Sequence, residues 1–156
     1  MDEYLWIKYA HILGATVIFG TGIGTAFQMW AAHRSRDVRG LALVTRNVVK
    51  ADWIFTTPAV LLQPLTGTVL AVSAGYGLHD RWLLGAILLY GLTGLCWLPV
   101  VWIQIKLRDL AAQAAATSQP LPAAYDRLFR WWFVLGVPAF GSVLVIFHLM
   151  IQKPTF

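Results

Sequence analysis

The chain has 156 residues, of which 58% are hydrophobic and 12% charged, with a formal net charge of +5. This length gives a single domain, 1–156, and so apolar a composition excludes an ordinary soluble globule. Cys96 is the only cysteine, which excludes an intrachain disulfide or a cysteine-rich metal cluster.

The first apolar segment runs over about 5–32, long enough to cross a hydrocarbon core and longer than a secretory signal, so it is expected to stay in the mature protein. Gly20 and Gly24 within it have the small-xxx-small spacing that permits close helix approach. The run "GTGIG" is not a phosphate loop, because no strand precedes it. A basic stretch follows, in which "LALVTRNVVK" suits an amphipathic surface helix leading into span two. Asp52, just before that span, suits a helix N-terminus.

The second span covers about 53–74 and contains Pro58 and Pro64, each of which frees a helix carbonyl. Thr56, Thr57 and Gln63 are expected to satisfy those carbonyls. The short turn "SAGYGLHD" makes spans two and three antiparallel neighbours. Span three, about 82–105, carries Cys96 as a packing residue and Pro99, continues as a helix past the membrane, and breaks near Pro120. Span four covers about 131–151 and includes Pro138.

The fold expected is all-α: an up-down-up-down four-helix bundle in the lipid bilayer. Nine of the 12 Lys and Arg lie in the two loops joining spans one to two and three to four, leaving Lys8, Arg81 and Lys153 at the other side. The positive-inside rule then places the basic loops in the cytoplasm and both termini on the outer, periplasmic side. The positive charge therefore reports topology and anionic headgroups, with no nucleic acid partner. Tryptophans at the span ends read as interfacial anchors.

Four histidines are present. His33 reads as a solvated boundary residue and His79 falls in the outer turn, whereas His11 and His148 lie inside spans one and four. Each is about two turns from the outer face at ~1.5 Å per residue, so the two are at matching depth. Gly14, Ala15 and Gly141 leave room beside them for a flat macrocycle, and Leu144 offers an apolar wall. The pair is expected to ligate a b-type haem, with Lys8 near a propionate. The alternatives are hydrogen bonds from each ring to a helix carbonyl, and a three-histidine zinc or copper site that includes His79.

"WIKYAH", "RNVVKADWIFTTPAVLLQPLTG" and "CWLPVVWIQIKLRDLA" together resemble an uncharacterised bacterial DUF family of integral membrane proteins, along essentially the whole chain. This implies a multi-pass protein of the bacterial inner membrane. The Trp-x-Lys-x-x-His pattern of Trp6, Lys8 and His11 also resembles the first helix of HemJ-type protoporphyrinogen oxidases, which implies haem association. Those proteins follow the histidine with a Leu-Pro-Arg-like stretch that this chain lacks.

The function expected is a membrane cytochrome with one haem b near the outer face, transferring electrons to or from quinone, alone, as a homo-oligomer or with a redox partner protein. The alternatives are a HemJ-like porphyrinogen or quinol oxidase and a non-catalytic membrane scaffold or transporter component.

Overall fold

The computed structural model describes residues 3–154. Among these the chain forms helices only: α1 (Glu3–Ser35), α2 (Val38–Ala51), α3 (Thr57–Ser73), α4 (Arg81–Thr117) and α5 (Ala123–Gln152), with a π-helical turn over Asp52–Thr56 joining α2 to α3 without a break. Four rods result, each long and apolar enough to cross a membrane.

The connections follow from local chemistry. Arg36, at φ 56°, turns the chain between α1 and α2, and the Asp37 carboxylate caps α2 by accepting from the Arg39 amide at 3.1 Å. Ser118, at φ 52°, ends α4 just before Pro120, as the sequence leads one to expect. At the opposite end Gly75 takes φ 77°, and the Asp80 carboxylate accepts from the Gly77 amide at 2.8 Å to close the turn. Lys153, following α5, places its ammonium 4.8 Å from the Tyr76 ring centre and 5.7 Å from that of Trp82, tying α5 to this turn.

The π-helical turn has a clear origin. Pro58 has no N–H to offer the Ile54 carbonyl, and its ring crowds that carbonyl. The backbone widens instead, so that the Thr57 amide reaches back to the Asp52 carbonyl. Asp52 therefore lies inside a continuous helix and is buried, not at a helix start.

α2 differs from the surface helix expected for it. Leu41, Thr45, Val48 and Val49 recur at helical spacing and are buried, while Arg46 and Lys50 point outward. Leu41 and Val48 join Met29, Val100, Ile103, Leu107, Tyr125 and Trp132 in the main core. The best-packed region is thus at the arginine-rich end of the bundle.

α2 packs on α1 and α4, α4 on α5, and α3 on α1. Spans two and three are less intimate neighbours than the short turn suggests. Tyr90 on α4 donates its hydroxyl to the Val60 carbonyl on α3, which is the carbonyl that Pro64 leaves free. Repair of that break falls to Tyr90, whereas Gln63 donates to the His11 carbonyl on α1 at 2.8 Å and Thr56 to the Asp52 carboxylate at 3.0 Å.

Gly20 and Gly24 do not mediate close helix approach. Both are exposed, and a side-chain carbon at either would meet nothing within 4 Å. Of the tryptophans, Trp6, Trp30, Trp53, Trp102 and Trp131 are exposed as anchors should be, but Trp82 and Trp132 are buried.

Candidate functional site: an apolar cavity between the first and last helices

α1 and α5 touch at two places. Near mid-span the Phe19 ring stacks on Phe140 at 5.3 Å and meets Phe147 at 5.8 Å. At the arginine-rich end His33 lies flat on Phe129, with ring centres 3.7 Å apart, and Arg36 pairs with Asp126 at 2.7 Å. Between and beside these contacts is a cavity of about 500 Å³, backed by Thr93, Trp97, Val100 and Gln104 of α4, within the roughly 300–1,000 Å³ range of small-molecule sites.

Small residues open this space. Gly22 on α1 and Gly136 and Gly141 on α5 line it, and a side-chain carbon at any of the three would meet no neighbour within 4 Å. Phe19, Trp97 and Phe140 form aromatic walls. Ile23, Phe133 and Val137 also line the cavity and are 49%, 51% and 59% exposed, so it opens sideways on the surface that faces lipid.

Towards the arginine-rich end the lining turns polar, with Asp52, Thr56 and Gln104 all buried there. The Thr56 hydroxyl donates to Asp52, and the Gln104 amide also faces that carboxylate. Four buried polar atoms at this end have no partner among the described residues: Gln104 Oε1, an acceptor, and Trp132 Nε1, a donor, belong to residues that line the cavity, while His33 Nδ1 and Tyr125 Oη belong to residues that do not. Buried polar groups are normally satisfied, so these atoms are the exceptions in the polar part of the bundle. In sequence Asp52 reads as a helix start, which hides its place in this lining. The available signal was an acidic residue four before a threonine and six before a proline, the spacing that sets up the π-helical turn.

The histidine site is arranged differently from expectation. His11 Nδ1 lies 2.8 Å from Thr66 Oγ1 on α3, and the Thr66 hydroxyl donates onward to the Leu62 carbonyl at 2.8 Å. When the hydroxyl proton goes to Leu62, Thr66 accepts from the ring, which puts the hydrogen on Nδ1 and leaves Nε2 as the open nitrogen. Gly67 accommodates the ring, since a side-chain carbon there would stand 3.2 Å from His11 Cε1. Gly14 is filled by the Gln63 amide, 2.6 Å from where its side-chain carbon would sit, and so leaves no gap for a macrocycle.

His148 is exposed on α5, as is Leu144. Lys8 is exposed on α1, Ala15 is half-buried, and Gly141 belongs to the cavity. The hydrogen bonds and ring contacts among the described residues include none between His11 and His148. His79 is 80% exposed beside Asp80, and no group of three or more His, Cys, Asp or Glu gathers as a metal set among the described residues. His33 is not a solvated boundary residue: it is half-buried against Phe129 and Tyr125.

Four membrane-length helices around a side-opening apolar cavity define a multi-pass integral membrane protein. The chain belongs to the family described as "Predicted integral membrane protein (DUF2269)", whose model matches residues 5–154. No curated protein and no solved structure matches it. The HemJ likeness rests on Trp6, Lys8 and His11 alone, and these comparisons do not extend it.

Proposed function

We propose that the protein binds a lipid-soluble ring compound of the quinone class in the cavity between α1 and α5. The carrying observation is the pair of unpartnered atoms, Gln104 Oε1 and Trp132 Nε1, at the polar end of an otherwise apolar, side-opening chamber. With a side-chain shift that uncovers both atoms, a quinol hydroxyl would donate to Gln104 and accept from Trp132, while its apolar tail left towards the bilayer between Ile23 and Val137. Aromatic walls suit a flat ring. Trp97 and Trp132 line the cavity, so binding can be read by fluorescence. In lipid nanodiscs a short-chain quinone should quench tryptophan emission saturably, and Gly136→Leu should abolish the saturable part. Quenching that rises linearly in both proteins would overturn the reading.

A second reading rests on His11. With Nδ1 held by Thr66 and Nε2 open, the ring has the orientation that supporting hydrogen bonds give to iron-ligating imidazoles. His11 and the exposed His148 would be the residues that hold a b-type haem, which would supply one-electron chemistry. The bacterial inner membrane, with the arginine-rich end in the cytoplasm, is the location this reading requires.

A further inference from the structure

A second recess lies at the arginine-rich end, beside the mouth of the cavity. It has a volume of about 610 Å³ and is lined by Trp30, His33 and Arg34 from the end of α1, by Arg36 in the turn that follows, and by Phe129, Arg130, Phe133 and Val134 from α5. Trp30 and Phe133 line both spaces.

Its charge is unbalanced. Three guanidinium groups face it, and Arg36 is committed to Asp126 at 2.7 Å. Arg34 has its guanidinium carbon 5.4 Å from the Trp30 ring centre, a contact that holds its orientation without using its charge. Neither Arg34 nor Arg130 forms an ion pair among the described residues. His33 adds a buried Nδ1 with no hydrogen-bond partner. On the membrane side of these groups Phe133 and Val134 are 51% and 57% exposed, an apolar flank directly below two open cations.

We infer that this recess binds an anionic phospholipid, its phosphate held by Arg34 and Arg130 and its acyl chain lying along Phe133 and Val134. Guanidinium groups present planar forks that match phosphate oxygens, and the adjoining apolar strip selects an anion that carries a hydrocarbon chain. A lipid seated here borders the cavity at Trp30 and Phe133 and forms part of the rim past which a quinone would enter. The inference stands on the recess alone and does not require the quinone reading.

The test uses the full chain in mild detergent, stripped of lipid, with binding followed by native mass spectrometry. Phosphatidylglycerol should bind more tightly than phosphatidylcholine. The double variant Arg34→Gln/Arg130→Gln should lose affinity for it by roughly thirtyfold, the equivalent of about 1 kcal/mol for each arginine. Arg108→Gln, whose guanidinium is already paired with Asp109 at 2.7 Å, should match the wild type. Millimolar inorganic phosphate should not displace the lipid; displacement would identify a site for a soluble anion and overturn the lipid assignment. Equal affinity for the two lipids in the wild type would overturn it as well, and that comparison decides even if the double variant fails to fold.

Discussion

His11 on the first helix and Thr66 on the third are joined by a 2.8 Å hydrogen bond across 55 residues of sequence. The adjacent bond from Gln63 to the His11 carbonyl makes the contact two-stranded. Polar links between membrane helices contribute about 0.6 kcal/mol on average and up to about 1.7. Thr66→Val removes the acceptor and leaves the His11 ring unpartnered against α3. Denaturation in detergent should show a loss within that range, and a double-mutant cycle with His11→Phe should return it as coupling energy. Additive losses would mean that the two side chains do not act together.

Glycines divide into two classes by what surrounds them. Gly14→Ala drives a methyl group into the Gln63 amide and should destabilise the protein, because the link to the His11 carbonyl must break or shift. Gly24→Ala meets nothing within 4 Å and should stabilise α1 by up to about 1 kcal/mol through helix propensity. Thermal unfolding of the two variants should move in opposite directions.

Filling the cavity separates binding from stability. Gly136→Leu occupies open space between α1 and α5, so quinone affinity should fall by at least roughly tenfold, about 1.4 kcal/mol, with little change in unfolding. Gly91→Leu serves as the control, since Gly91 is exposed, has no neighbour within 4 Å and does not line the cavity. It should leave affinity unchanged.

The unpartnered atoms make a sharper forecast. Gln104→Leu removes a buried acceptor that lacks a donor, but it also removes the amide that faces the buried Asp52 carboxylate, so the ligand-free protein should lose stability, on the order of 1–3 kcal/mol. Affinity for a quinol should fall at the same time. A variant that binds quinol as tightly as the wild type would show that Gln104 does not meet the ligand.

If His11 and His148 ligate a haem, protein from haem-replete cells should show a reduced-minus-oxidised b-type spectrum that His11→Ala and His148→Ala each abolish. Thr66→Val should shift the redox midpoint while keeping the colour, because it alters the partner of Nδ1 and not the ligand itself. A colourless wild type would remove this reading and leave the cavity reading untouched.

Much of the architecture was legible because it depends on composition along one strand of chain. Membrane-length apolar runs, turn punctuation at Gly75 and Pro120, and exposed tryptophans at Trp6, Trp53 and Trp102 need no knowledge of neighbouring helices. The site was less legible. Depth along a helix can be counted from sequence, which is what pairs His11 with His148, but depth does not say which way a ring points. Rotation about the helix axis is set by what packs beside it: Gly67 and Thr66 draw His11 to α3, while His148 remains on an open face of α5. Gly14 looked like room for a ligand because the sequence does not show that Gln63 fills it.

By itself the sequence determined four helices, their alternation and the concentration of arginine at one end, since these follow from solvent transfer and backbone rules that act residue by residue. Only the tertiary structure decided that α1 and α5 meet at two points and part between them. It also decided that Asp52 faces inward from a widened turn and that Gln104 and Trp132 end without partners. The gap arises because α1 and α5 are held together by Phe19 near mid-span and by His33 at the arginine-rich end while glycines lie between, so it belongs to the pair and to neither segment alone.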